Sequence, residues 1–269
     1  MAGVGACRDH SWMQRVVSIF AALAFAWCAA DAAPIPVRFA EGLTRGYMLL
    51  RDTSGKILAN GDLIQVAKDD AIEKRMTFRF KDGSLYDERV TYTENGHFRL
   101  RKYELTQRGP AFEDDLEISL TAATGAYTVK KKAHKDGDVD TDEGKLDDLP
   151  DDVYNGLLMT IVKDLPKGGA VVHFVTFSPS ARVIELELLP AGEHKIAVGD
   201  LTQSALHILI KPKLGFFLKV AAKITGRDPE DLHAWVATDD VPAFVGFEGS
   251  FNTPGPTWRI EVVSPQLTR

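Results

Sequence analysis

The sequence predicts a mainly β protein: a single domain formed by a curved antiparallel sheet or open barrel, with one or two helices packed against it. Three observations carry this expectation. Apolar and polar residues alternate at a period of two, as in Met76, Phe78 and Phe80 against Thr77, Arg79 and Lys81, the pattern of a strand with one buried face. Tight-turn pairs punctuate the runs at Ser54-Gly55, Asp82-Gly83, Asn95-Gly96 and Thr124-Gly125. Asp-Gly and Asn-Gly supply the positive φ angles of short hairpins, so neighbouring strands should be antiparallel. Finally, helical spacing occurs in only two segments, which favours a sheet closed or curled on itself over an α/β architecture.

The elements follow in order. Residues 1–32 read as a secretory signal peptide: Arg8 and Arg15 precede the apolar run Val16–Cys28, and Ala30-Asp31-Ala32 fits an A-x-A cleavage site. The run is shorter than the roughly 20 apolar residues a spanning helix needs, and Trp27 before Cys28 is unlike the small residues that precede a lipidated cysteine. From Thr44 to Val129 strand follows strand, with Leu116, Ile118 and Leu120 repeating the alternation. The acidic stretch Asp136–Gly144 reads as a solvated hairpin loop. A helix is predicted over Pro150–Leu165, with Asp148 as cap, Pro150 in the first turn, and Val153, Leu157, Leu158, Ile161 and Leu165 at helical spacing. A second meander takes in Ala170–Phe177, Val183–Leu189, Glu193–Val198 and Ala205–Ile210. A second helix is predicted over Leu214–Thr225, and strands follow near Ala234–Val236, Ala243–Phe247 and Trp258–Val263. With no repeat and no Pro-, Gly- or Ser-rich linker, residues 33–269 form one domain.

Composition excludes several classes of chemistry. Both cysteines, Cys7 and Cys28, lie in the leader, so the processed chain has no disulfide, thiolate nucleophile or cysteine metal site. The chain carries a net charge of -6, and without a basic stripe it is a poor nucleic-acid binder. The acidic stretch fails as an EF-hand in both frames: from Asp136 or Asp138, the glycine position holds Thr141 or Glu143 and the closing glutamate position holds Asp147 or Leu149. His97, His134, His173, His194, His207 and His233 form no H-E-x-x-H or H-x-H motif, so no metal is expected; His173 and His207, in apolar strands, should meet polar partners in the core. Glu185 and Glu187 share a strand face and should meet water. There is no G-x-S-x-G elbow, Walker loop or dinucleotide fingerprint, and no cofactor is expected.

What remains is apolar. The C-terminal third gathers Phe216, Phe217, Trp235, Phe244, Phe247, Phe251 and Trp258. Of these, Phe217, Trp235, Phe244, Phe247 and Trp258 are the candidates for lining an apolar cavity at the mouth of the sheet. Arg108 is a further ligand candidate: Gly109-Pro110 should end its strand and leave it at the sheet rim, where it bonds loop carbonyls or meets an anionic head. The predicted helix Leu214–Thr225, with Lys219 and Lys223 opposite its apolar side, is either a lid over the sheet or a peripheral contact with an anionic membrane.

Three stretches, Leu100–Phe112, Leu149–Leu158 and a tail containing Pro242–Gly249 and Thr257–Glu261, together resemble a family of bacterial exported proteins of unknown function. The resemblance implies export and a single domain, and brings no catalytic residues with it. Where that family shows Gly-Gly-Pro before Trp-Arg-Ile, this chain has Thr253-Pro254-Gly255-Pro256-Thr257. The functional expectation is a protein of the periplasm or the exterior, more a binder than an enzyme, whose partner is a lipid or other apolar small molecule. An envelope scaffold without a small ligand is the first alternative and a hydrolase with a dispersed site the second; the oligomeric state is left open.

Overall fold

The computed structural model describes residues 33–134, 137–198, 201–213, 231–238, 241–251 and 255–263. Residues 1–32, where a signal peptide is expected, and the predicted helix Leu214–Thr225, including Phe217, lie outside the described residues. The first eight strands are β1 (Thr44–Asp52), β2 (Ile57–Lys68), β3 (Ala71–Phe80), β4 (Leu85–Thr93), β5 (Arg99–Arg108), β6 (Asp114–Thr121), β7 (Ala126–Ala133) and β8 (Val139–Lys145). After a crossing segment come β9 (Ala170–Thr176), β10 (Arg182–Val198), β11 (Leu201–Lys213), β12 (Leu232–Ala237), β13 (Ala243–Ser250) and β14 (Thr257–Val263).

All fourteen join one antiparallel sheet in the order β8-β7-β6-β5-β4-β3-β2-β1-β14-β13-β12-β11-β10-β9. Two meanders are thus welded where β1 meets β14, Leu50 opposite Ile260. The sheet curls without closing, and its two ends approach each other: the rings of Tyr127 on β7 and Phe177 after β9 lie 6.2 Å apart. This is the curved antiparallel sheet expected from the turn chemistry.

Period-two patterning decides what the concave face holds. On β3 the side chains of Ile72, Lys74, Met76, Phe78 and Phe80 are buried while Glu73, Arg75 and Arg79 are exposed. The register carries this inward set across neighbouring strands: Lys74 lies opposite Val90, Met76 opposite Glu88 and Phe78 opposite Tyr86. Tyr103 and Leu105 continue the rows opposite Val90 and Glu88. Close packing is visible at Gly61, where an added Cβ would fall 2.4 Å from the Phe78 ring.

Two predicted elements differ. From Val139 on, the acidic stretch is not a loop but the edge strand β8, with Lys131 opposite Asp140. Its side chains are exposed on both faces, so burial leaves no signature, and the backbone ladder to β7 holds it instead, while Lys131 makes its ion pair with Asp114 on β6 at 2.8 Å; a charged strand also blunts a sheet edge. The helix expected over Pro150–Leu165 is reduced to α1 (Leu158–Ile161) and a 3-10 turn, Val162–Asp164. Upstream, Val153 makes a parallel bridge to His173. The Asn155 side chain clamps Val175 on both sides, donating to its carbonyl at 2.8 Å and accepting from its amide at 2.7 Å. Backbone that would have capped a helix here covers the free edge of β9. The apolar positions were rightly spaced for burial, since Val153, Leu157, Ile161 and Leu165 all reach the core.

This crossing segment plugs the curl. Lys74 Nζ donates to the Gly156 carbonyl at 2.7 Å. At the far end Asp164 accepts the amides of Arg38 and Phe39 at 2.6 and 2.9 Å, tying down the N-terminal stretch. Glu41 pairs with Lys163 and also accepts from Gln65 Nε2 at 2.7 Å. Gly156 has φ +70°, and a Cβ there would lie 2.4 Å from Val90 Cγ2. Gly156→Ala should therefore lower stability by about 2–4 kcal/mol, from left-handed strain plus overpacking; urea denaturation checks this, and an unchanged midpoint would show that the plug does not seat on Val90.

Candidate functional site

The plug fills only part of the concave space and leaves a cavity of about 850 Å³. Its apolar wall comes from both meanders and the plug, through Met76, Leu105, Ile118, Met159, Phe247 and Ile260. Aromatic rings crowd one side. Phe251 stands 5.0 Å from Tyr86 and 5.2 Å from Trp258, the latter edge-on, and Phe112 packs 5.4 Å from Phe80 and 5.9 Å from Trp258. Edge-to-face geometry of this kind makes a well-packed apolar surface.

Set into that wall is a polar cluster. Lys74, Tyr86, Glu88 and Tyr103 all line the cavity, yet Lys74 is 3 % and Glu88 7 % exposed. Tyr86 donates its hydroxyl to Glu88 Oε2 at 3.0 Å. Burial pushes the Lys74 ammonium below the usual lysine range, opposed by the attraction of Glu88. Burial likewise pushes the Glu88 carboxyl above the usual range, opposed by Lys74 and by the Tyr86 hydroxyl. The two phenols are held well above 10 by burial and by the nearby Glu88 charge. Two ionisable groups of opposite sign that share an apolar cavity are unusual, because each carries a desolvation cost, and buried ionisable groups of this kind concentrate at functional sites.

The sequence candidates fall into three places. Phe247 and Trp258 line the cavity. Phe244 packs against the hydrophobic core without reaching the cavity lining. Trp235 is on the outer face of the sheet, stacked 5.3 Å from the His207 ring, because it and Ala234 alternate across β12 and the core takes Ala234. Arg108 does end its strand at the rim, but its partner is Glu117 on β6, Nη2 to Oε1 at 2.5 Å, rather than a loop carbonyl. Phe217 lies outside the described residues.

Lys74, Glu88, Tyr86 and Tyr103 were not singled out from the sequence, although a signal existed. Each falls on the inward set of its strand, where a charged residue is out of place; what the sequence could not supply is the register that makes them neighbours. Glu185 is exposed as expected and pairs with Lys213 at 3.5 Å.

The histidines form two arrangements. His173 does meet a polar partner, Asp152, Nδ1 to Oδ1 at 2.7 Å, but it lies half-buried on the face of the sheet that it shares with the exposed Glu185 opposite it, not in the core. His207 instead faces outward and meets His233, Nε2 to Nδ1 at 2.9 Å, with His194 stacked beyond it at 4.8 Å. Among the described residues no group of three or more His, Cys, Asp or Glu side chains is arranged to hold a metal ion. No helix of the described residues is long and apolar enough to cross a membrane. The chain matches no family model, no curated protein and no solved structure.

Burial, then the neighbouring His233 and His194, hold His207 below its ordinary 6.5. The unfolded chain therefore takes up this proton first as pH falls, so the stability that rests on neutral His207 is full above about pH 6.5 and is lost below it. The urea midpoint should drop between about pH 7.5 and 5.5, and His207→Phe, which keeps a stacked ring, should flatten the drop. An identical slope in the variant would remove His207 from the account.

Proposed function

We propose that the protein is an exported, non-enzymatic module that holds a lipid or other apolar small molecule within the curl of its sheet. The carrying observation is the cavity of about 850 Å³, walled by Met76, Leu105, Phe247 and Trp258. Its size falls within the roughly 300–1,000 Å³ of ligand pockets, and an apolar lining with a few placed polar groups is their usual character. The leader at residues 1–32 and the resemblance to exported bacterial proteins support a place in the cell envelope. In that setting a sheltered apolar space suits a molecule that water excludes.

The scaffold alternative would have the aromatic residues serve only as core. Native mass spectrometry of the protein purified from its own envelope fraction separates the readings. We expect a noncovalent adduct of lipid mass, removed by collisional activation, at one per chain. A chain that emerges free of any adduct but bound to a second protein would overturn the lipid reading in favour of the scaffold.

A further inference from the structure

The polar cluster narrows the ligand class; this inference rests on the cavity being the ligand site. Lys74 and Glu88 are diagonal neighbours on the concave wall, with Val90 and Met76 completing the square. Gly156 lies over them: its carbonyl accepts from Lys74 Nζ at 2.7 Å, and a Cβ built on it would come 3.2 Å from Glu88 Oε1. The ammonium has three N–H groups and uses one on that carbonyl, while the carboxylate accepts from Tyr86. Tyr103, in line with Lys74 across Val90, is 7 % exposed, lines the cavity, and its hydroxyl has no hydrogen bond among the described residues. The cavity wall thus offers donors, acceptor lone pairs and a hydroxyl that serves as either.

Charge decides the rest. Among the described residues, six charged ones line the cavity, of which Glu113, Lys131 and Asp140 are exposed to water and Asp114 pairs with Lys131 at 2.8 Å. The two buried ones, Lys74 and Glu88, sum to zero, and still do if the proton passes from lysine to glutamate. An anionic head would add an uncompensated charge to a buried site, and so would a cationic one. A head with no hydrogen-bonding groups would cover the Lys74 and Tyr103 donors without giving them a partner. We propose that the cavity selects a single-chain lipid whose head is uncharged and hydroxylated, accepting from Lys74, donating to Glu88 and contacting Tyr103, with the chain running along the aromatic side toward Trp258.

The test compares three probes of the same chain length, each below its critical micelle concentration, against the protein spanning Ala33 to Arg269 at neutral pH: a monoacylglycerol, the free fatty acid, and its methyl ester. Calorimetric titration should place the monoacylglycerol at least tenfold tighter than both others. Tyr103→Phe should narrow that advantage while leaving methyl ester affinity unchanged. In Lys74→Met combined with Glu88→Gln the preference should vanish, with folding verified by circular dichroism. Tighter binding of the fatty acid, or equal binding of all three, would overturn the head-group assignment and leave the cavity reading standing. Binding of none of the three would overturn both.

Discussion

The architecture turns on how the segment between β8 and β9 seats against the concave wall. A sheet of fourteen antiparallel strands has two free edges and a long apolar inner face, and both must be dealt with. One stretch of chain does much of this work. Its Val153 bridge and Asn155 clamp cover the edge of β9, and its Leu157 and Ile161 fill the inner face. Gly156, which only a residue without a side chain can occupy in this way, brings its carbonyl against Lys74. Because the plug is short, with α1 spanning only Leu158–Ile161, it fills one end of the curl and leaves the other open as the cavity.

The same contact explains how a buried lysine is tolerated. An ammonium without partners inside an apolar wall is strongly disfavoured. Lys74 has the Gly156 carbonyl in contact and the Glu88 carboxylate nearby, so the charge is met, though not lavishly. Replacing such a pair by well-packed apolar residues often leaves a protein equally stable or more so, whereas removing one partner alone costs about 3–5 kcal/mol. Lys74 and Glu88 make no direct ion pair; the lysine seats the plug through Gly156, and both groups also present hydrogen-bonding capacity to the cavity. The outer face follows different rules: its charges pair across strands, as the exposed Arg75 covers the largely buried Asp87 at 2.7 Å, and the His207–His233 contact lies on the same face.

Much of the fold was legible in the sequence because hairpin chemistry and alternation are local. Asp82-Gly83 and Asn95-Gly96 marked turns at which both glycines do adopt positive φ, and Met76, Phe78 and Phe80 marked an inner face. Two things were not local. The charged strand β8 is held by pairing with β7 and leaves no trace in a hydrophobic pattern. The helical spacing of Val153 to Leu165 reports burial, and tertiary contacts with His173 and Val175 decided that its first half would be irregular. The cavity was half visible: Phe247 and Trp258 were recognised as candidates, while Trp235 faces the other way because alternation on β12 was read without knowing which parity points inward. The polar cluster needed the register of β3, β4 and β5, which no single segment encodes.

Beyond residue 32 the chain has two tryptophans, Trp258 in the cavity wall and Trp235 on the outer face. Fluorescence of single-tryptophan variants therefore tests the central claim, that the curl encloses a ligand. In Trp235→Phe, titration with a single-chain acyl lipid should produce a saturable change in Trp258 emission at one lipid per chain. In Trp258→Phe, Trp235 should stay silent. A response from Trp235 with none from Trp258 would place the lipid on the outside of the sheet and contradict the account.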